Sequence, residues 1–175
     1  MIRSLIMLLH FSIDKMDETI TLEQELQLLE SYINIQKMKY GDIFDLIIKA
    51  QEEHKNVMLP KLILQPIVEN SIFHGFASKT DRGEIIIETV TLKDTFRLYV
   101  RDNGHGMDEK EIDRILHQQE DESSGNPHKK VRLSSIGIQN VNERIKLLFG
   151  VEYGLHIQST RGLGTCVEII LPSSV

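Results

Sequence analysis

The chain has 175 residues, of which 41% are hydrophobic and 26% charged, the composition of a globular protein with room for one domain and an appendage. Its net charge of −6 argues against a nucleic-acid partner, because a phosphate-binding surface needs clustered lysine and arginine. A single cysteine, Cys166, excludes internal disulfides and cysteine-based zinc sites.

The N-terminal part of the chain is predicted to be helical. Residues 1–16 are mostly large and apolar, which favours an amphipathic helix whose partner helices are missing or supplied by another chain. Thr21 and Gln24 have the spacing of a capping box and predict a helix that runs to about Tyr40. We therefore predict a helical segment over residues 1–40 and a second unit over residues 41–175.

Five segments of the second unit are predicted to be strands. Over 44–49, Phe44, Leu46 and Ile48 recur at every second position, as in a strand. The runs 83–91 and 95–101 are separated by a turn short enough for a hairpin. Two more strands, 153–159 and 165–171, follow near the C-terminus.

A helix over residues 62–76 is the centre of the predicted fold, because its apolar residues recur at helical spacing. Pro60 is expected in its first turn, and Pro66 removes a backbone donor, so the regular helix should start late or bend there. Gly75 should mark its end within a residue or two.

Polar residues on this helix are candidates for binding a ligand. Glu69 and Asn70 offer oxygen ligands of the kind that suit Mg²⁺, which proteins usually share with substrate phosphates. His74 lies four residues after Asn70 and shares its face. The alternative is a core helix whose polar residues cap a neighbouring loop.

Three further segments after the central helix are candidates for contacting a ligand. The strand before Asp102 breaks at Gly104 and Gly106 and gives way to a helix, which is how a backbone is brought close to a ligand. A polar stretch over 118–135 predicts a lid or a disordered loop. Gly137 lies near the start of a helix that ends at about Phe149, where free N–H groups would attract an anion.

Together these elements predict an α/β (α+β) two-layer sandwich, in which a mixed, mainly antiparallel sheet is covered on one face by helices at 62–76, 108–117 and 137–149. Four histidines show no metal spacing and are expected at the surface: His54, His117, His128 and His156.

Four spaced motifs carry a resemblance to a known family. They are Glu69-Asn70 with His74, Asp102-x-Gly-x-Gly, Gly137-x-x-Asn140, and Gly162-x-Gly164-Thr165. In this order they resemble the N, G1, G2 and G3 boxes of the Bergerat-type ATP-binding domain shared by sensor histidine kinases, gyrase-type ATPases, MutL and the Hsp90 chaperones. The segment 64–75, with the sequence LQPIVENSIFHG, is most similar to two-component kinases whose phosphoacceptor motif reads Asn-Pro-His-Phe. The match covers about residues 57–172, and residues 17–40 resemble the helix that precedes the domain.

The resemblance implies ATP and Mg²⁺ as cofactors. Asn70 would coordinate the metal between the phosphates, with Glu69 in or near that shell, and Asp102 would accept a hydrogen bond from the adenine amino group. The other implied binding residues are Gly104 and Gly106 beside the adenine, Gly137 and Asn140 at the phosphates, and Gly162, Gly164 and Thr165 at the last strand.

Several positions depart from the family pattern. Pro66 replaces the polar residue that serves water-splitting ATPases as general base, which favours transfer to a protein acceptor. Phe73 replaces a basic residue, so His74 or the lysines 129 and 130 would neutralise phosphate, and Ser135 replaces the first G2 glycine. His10 precedes Phe11 but lacks Asn-Pro before it, so we expect it to pack and not to accept phosphate.

The implied function is transfer of the γ-phosphoryl group of ATP to a histidine outside this chain. Implied partners are the phosphoacceptor region of the same or a second kinase subunit, a response regulator, and a second copy in a full-length homodimer. The implied location is the cytoplasmic part of a membrane-anchored receptor. Alternatives are an anti-sigma-type serine kinase, a stand-alone ATPase, and a nucleotide-binding interaction module without chemistry.

Overall fold

The computed structural model describes residues 19–76, 81–117 and 133–173. Several expectations lie outside these residues: the N-terminal amphipathic helix, the place of His10, the part of the predicted lid over 118–132, the exposure of His128, and the neutralisation of phosphate by residues 129 and 130. The predicted exposure of the His117 side chain also lies outside the described part of the chain.

A five-stranded sheet forms the first layer of the described part of the chain. The described strands, which include a small separate β1–β3 pair, are β1 Thr19–Thr21, β2 Phe44–Lys49, β3 Met58–Pro60, β4 Gly83–Leu92, β5 Thr95–Asp102, β6 Gly154–Thr160 and β7 Gly164–Pro172. The order in the sheet is β2-β4-β5-β7-β6, in which β2 and β4 are parallel and the other pairs antiparallel. The mixed, mainly antiparallel sheet is therefore confirmed, and so is the β4–β5 hairpin.

Helices form the second layer. The predicted capping box begins the first helix, because Thr21 Oγ1 accepts from Gln24 N (3.2 Å) and Gln24 Oε1 accepts from Thr21 N (3.0 Å). The central helix begins at Leu64, so Pro66 lies in its first turn, where no N–H is needed. The described helices are α1 Leu22–Tyr40, α2 Leu64–Asn70 with a π-helical continuation Ser71–Gly75, α3 Glu109–His117 and α4 Leu133–Phe149.

The two faces of the sheet differ in chemistry. On β5, Phe96, Leu98 and Val100 are buried beneath the helices, whereas the alternating residues face the other side. That outer face carries a row of charged contacts across all five strands. Its pairs are Lys49 with Glu88, Glu88 with Arg101, Arg97 with Glu168, and His156 with Glu168.

Helix α1 shares the core of the sheet and of α2. Leu22, Leu26, Leu29 and Ile33 belong to the same buried cluster as the α2 and β5 side chains. Over the described residues, packing is therefore continuous across the predicted division at residue 40, and that division stays a prediction.

Two local expectations were wrong. Pro60 lies in β3 opposite Thr19, because a turn at residues 61–63 separates it from α2. His54 is buried instead of exposed, since its ring lies on β4 with Nδ1 2.8 Å from Thr89 Oγ1 and Nε2 2.9 Å from Thr91 Oγ1. His156, in contrast, is exposed as predicted.

Within the residues that the structure describes, no helix combines the length and the apolar character needed to cross a bilayer.

Candidate functional site

Asp102 lies at the end of β5 with its carboxylate fixed from two sides. Its Oδ2 accepts a hydrogen bond from Ser71 Oγ (2.7 Å), and its Oδ1 accepts one from the backbone N–H of Gly104 (2.8 Å). These two bonds, one to a helix and one to the loop after β5, fix the orientation of the carboxylate. Ser71 was not predicted from the sequence as a site residue, although its position directly after Asn70 indicated that it could lie near the site.

The Asp102-x-Gly-x-Gly loop lies against the end of α2. A Cβ on Gly104 would lie 2.6 Å from the Cα of Gly75, and His105 N donates to Gly75 O (2.9 Å). Gly106 has φ +64°, and a Cβ there would lie 2.0 Å from Thr160 O. Both glycines are therefore required by contacts within the chain, and their role beside an adenine stays a prediction.

The β6–β7 turn completes this side of the site. Thr165 pairs with Asp102 across β7 and β5, so the two predicted adenine-site residues are neighbours. Gly164 has φ +104°, and a Cβ there would lie 2.0 Å from Asp102 O. Gly162 N donates to His105 O (2.7 Å), which joins the turn to the glycine loop.

Ser159 fixes the same turn, and the sequence reasoning did not single it out. Its hydroxyl donates to Gly164 O (2.8 Å), accepts from Met107 N (2.8 Å) and lies 2.9 Å from Thr165 Oγ1. The first residues after the glycine loop and the start of β7 are therefore held by one side chain.

Asn70 ends the regular part of α2, immediately before the π-helical turn. It is 8% exposed, and no hydrogen bond within the described part of the chain goes to its carboxamide. A buried carboxamide needs partners, so this one is available to a ligand. The described residues contain no group of three or more His, Cys, Asp or Glu side chains that could hold a metal. Asn70 would thus suit a Mg²⁺ ion whose other ligands are phosphate oxygens and water.

Glu69 lies beside α1. Its Oε1 accepts from Gln65 Nε2 (3.0 Å), and together with burial it raises the pKa of Tyr32 on α1. The buried Tyr32 hydroxyl and Gln36 Oε1 have no hydrogen-bond partner among the described residues. The described contacts of Glu69 are thus with α1 and its own helix, and its place in a metal shell stays a prediction. His74 is half-buried in the π-helical turn.

Helix α4 places its two predicted residues differently. It begins at Leu133, so Gly137 lies in its second turn, where a Cβ would be 3.1 Å from Pro66 Cβ. The small residue at 137 allows α4 to approach α2 closely. Asn140 is exposed, whereas the neighbouring Asn142 is buried and accepts from Leu155 N (2.9 Å). No described contact joins Asn140 to Asn70 or Asp102.

An ion-pair network ties α3 to the β6–β7 turn. Glu111 N donates to Asp108 Oδ1 (3.0 Å), and Arg161 donates to Asp108 (2.9 Å) and to Glu111 (3.1 Å). The backbone N–H of Glu111, followed by Arg161, holds the pKa of Asp108 below its usual value. These contacts fix the helix that follows the glycine loop.

Comparisons with known proteins show the family to which the chain belongs. Residues 56–175 match the family described as "Histidine kinase-, DNA gyrase B-, and HSP90-like ATPase", and residues 1–44 match the family described as "Histidine kinase". The chain is 36% identical over 159 residues to sensor histidine kinase YpdA of Escherichia coli (strain K12), covering 91% of this chain and 26% of that protein. It is 34% identical over 172 residues to sensor histidine kinase YesM of Bacillus subtilis (strain 168), covering 98% of this chain and 27% of that protein.

Solved structures share the fold. The histidine kinase domain of a blue-light activated kinase from Erythrobacter litoralis EL346 superposes with a TM-score of 0.59 at 18% identity, over 99% of this chain and 73% of that one. The catalytic domain of histidine kinase ThkA superposes with a TM-score of 0.60 at 13% identity, over 89% of this chain and 98% of that one. The chain spans about a quarter of the length of the two curated relatives named above.

Proposed function

The chain belongs to the family of histidine kinase-, DNA gyrase B- and HSP90-like ATPases and is the ATP-binding catalytic domain of a two-component sensor histidine kinase, and we propose that it transfers the γ-phosphoryl group of ATP to a histidine outside this chain. The observation that carries this proposal is the fixed carboxylate of Asp102. It accepts a hydrogen bond from Ser71, the residue that directly follows the buried Asn70.

Asp102 recognises the adenine. Because Ser71 and Gly104 hold the carboxylate in one orientation, its remaining lone pairs point in fixed directions. An amino group on the purine donates to such an acceptor, whereas a keto oxygen at the same position repels it. Thr165, opposite Asp102 in the sheet, forms the neighbouring wall.

Asn70 holds the phosphate end of the nucleotide through Mg²⁺. When bound, the metal supplies positive charge against the phosphate oxygens. The chain's own part is positional, because a buried side chain on a packed helix keeps its oxygen in one place. Glu69 and His74 flank Asn70 on the same helix, and we assign them supporting roles at the phosphates.

The acceptor is a protein side chain and not water. Pro66 lies one helical turn before Asn70, where it carries no group that takes a proton. We infer that a histidine in the phosphoacceptor region of the same or a second subunit supplies the nucleophile. From its kinship with sensor histidine kinases we also infer that a response regulator receives the phosphoryl group, that the full-length protein is a homodimer, and that this domain works in the cytoplasm below a membrane-anchored sensor.

Two measurements test the proposal. Calorimetry should show that the isolated chain binds Mg·ATP, while radiolabelled ATP alone leaves almost no label on it. A longer fragment that carries the upstream histidine should take up label that is labile in acid and stable in base. Acid-stable label would instead indicate a serine kinase, and rapid release of inorganic phosphate without protein label would indicate a stand-alone ATPase.

A further inference from the structure

Glu25 is a buried carboxylate that the proposed phosphoryl transfer does not use. It lies on α1 and is 1% exposed. Its Oε2 accepts from Leu62 N (2.7 Å) and its Oε1 from Leu64 N (2.9 Å). A carboxyl group at such a site is costly unless it is hydrogen-bonded, so its two bonds to the turn before α2 and to the first residue of α2 call for an explanation.

The bonds of Glu25 hold the entrance to α2. Ile63, the residue before α2, makes no side-chain cap, and the first turn of α2 contains no acidic residue. The acceptor that usually caps such a helix start therefore comes from a side chain on α1. Leu62 has φ +59°, a conformation that costs a branched residue roughly 1–2 kcal/mol and persists only where neighbours hold it.

Helix α4 holds the same segment from the other side. Arg144 Nη2 donates to Lys61 O (2.7 Å). Arg144 is also close enough to Glu25 to act on the pKa of that carboxyl, although burial, which raises that pKa, has the larger effect. The residues that lead into α2 are therefore fixed by one acidic and one basic side chain, each on a different helix.

Helix α2 joins the segment 61–64, which Glu25 and Arg144 hold, rigidly to Asn70. Leu64 and Asn70 are the first and last residues of α2, about 9 Å apart at the usual rise per residue. Pro66 lies against Gly137 of α4 on the way, which leaves this short helix little freedom to bend. A displacement of the α2 entrance is therefore passed along the helix to Asn70.

We propose that Glu25 is a positioning residue for the nucleotide site, through which the position of α1 sets the position of Asn70. This inference rests on the proposed function, because it assigns Asn70 to the metal-bound phosphates. A shift of α1 relative to the sheet changes the two bonds at Leu62 and Leu64 and so changes the affinity for Mg·ATP.

The test compares Glu25→Gln and Glu25→Ala with the control Glu23→Gln in the 175-residue chain. Glu23 lies in the same turn of α1 but is exposed, 3.8 Å from Lys55. Calorimetry measures the Kd for Mg·ATP and, separately, for adenosine without metal. Far-UV circular dichroism and thermal unfolding identify any variant that does not fold, and Glu25→Gln, which has the same shape and keeps one acceptor, is the variant on which the result depends.

We expect the Kd for Mg·ATP to rise about threefold in Glu25→Gln and at least about tenfold in Glu25→Ala, with the control within twofold. The Kd for adenosine should change less, because Asp102 lies on β5 and not on α2. Nuclear magnetic resonance should show a shift of the Asn70 side-chain amide in Glu25→Gln and none in Glu23→Gln.

Failure of the proposed function and failure of the positioning role of Glu25 give different results in these measurements. An unmodified chain that binds no Mg·ATP would overturn the proposed function. A folded Glu25→Gln variant whose Asn70 amide does not shift, or that loses adenosine and Mg·ATP affinity equally, would overturn the positioning role while leaving the proposed function intact.

Discussion

The hydroxyl of Ser71 donates a 2.7 Å hydrogen bond to Oδ2 of Asp102. Ser71 follows Asn70 on the central helix, and Asp102 ends a strand of the sheet. This bond therefore joins the two ends of the proposed nucleotide site, since the residue for the metal and the residue for the adenine belong to different layers.

Replacing Ser71 with alanine should weaken this connection. A hydrogen bond to a charged acceptor contributes about 1.5–3 kcal/mol, and the half-buried position of Asp102 places the loss near the lower value. We expect the Kd for Mg·ATP to rise about threefold to tenfold by calorimetry. Ser31→Ala is the control, because the Ser31 hydroxyl donates to Gln27 O of its own helix (2.9 Å) and no described contact joins it to Asp102. Equal affinities in the two variants would contradict the connection.

Asp102→Asn should reduce the selectivity for adenine. The amide replaces one acceptor oxygen with a donor, so the variant loses its repulsion toward a keto purine as well as a bond to the amino purine. Competition binding should show that the preference for ATP over GTP falls by about 10-fold or more. An unchanged preference would mean that another residue recognises the base.

Gly164 and Gly162 form a matched pair for testing the close backbone contact at Asp102. Both have positive φ, but a Cβ on Gly164 would lie 2.0 Å from Asp102 O, whereas one on Gly162 would meet nothing within 4 Å. We expect Gly162→Ala to cost about 1–2 kcal/mol of unfolding free energy and Gly164→Ala more than about 3 kcal/mol. Urea denaturation measures both, and similar costs would show that φ alone requires glycine here.

Glu25 should give the stability an unusual pH dependence. Burial raises its pKa in the folded state above the ordinary value of 4.5, although the N–H groups of residues 62 and 64 act against this. The folded form therefore binds the proton more tightly, and the stabilisation from this group is complete below pH 4.5 and is lost as the pH rises through the folded pKa.

The measurement is the unfolding free energy of the unmodified chain and of Glu25→Gln from pH 4 upward. Subtracting the two curves removes the contribution of other carboxyl groups such as Asp108, whose lowered pKa acts in the opposite direction. The difference should shift in favour of the variant as the pH rises, by at most about 1.4 kcal/mol per pH unit. Parallel curves would mean that the pKa of Glu25 is not raised.

Local signals predicted most of the elements. The alternation over 44–49, the short turn after β4 and the capping box at Thr21 each depend on a few neighbouring residues, and each is confirmed. The short strands β1 and β3 carry no such pattern, because a three-residue strand has too few positions to show a period.

Parts of the site depend on distant contacts and could not be read from spacing. Ser71, Ser159 and Glu25 each bond to residues that only the fold brings near. His54 shows the same limit, since its burial depends on two threonines on β4, far along the chain. The sequence singled out the glycines of the motif as ligand-binding positions. In the structure Gly104 contacts Gly75 and Gly137 contacts Pro66, so packing within the protein calls for a small residue at both, and their roles at a nucleotide stay predictions.

The charged row on the outer face of the sheet limits how other molecules approach. Glu168 accepts hydrogen bonds from Arg97 (2.6 Å) and Tyr99 (2.9 Å). On the neighbouring strands, Glu88 pairs with Lys49 and with Arg101. Covering that surface with another protein would strip water from many ions at once, at several kcal/mol for each. The outer face of the sheet is therefore expected to stay hydrated, and under the proposed function the segment that carries the acceptor histidine would approach from the helical side.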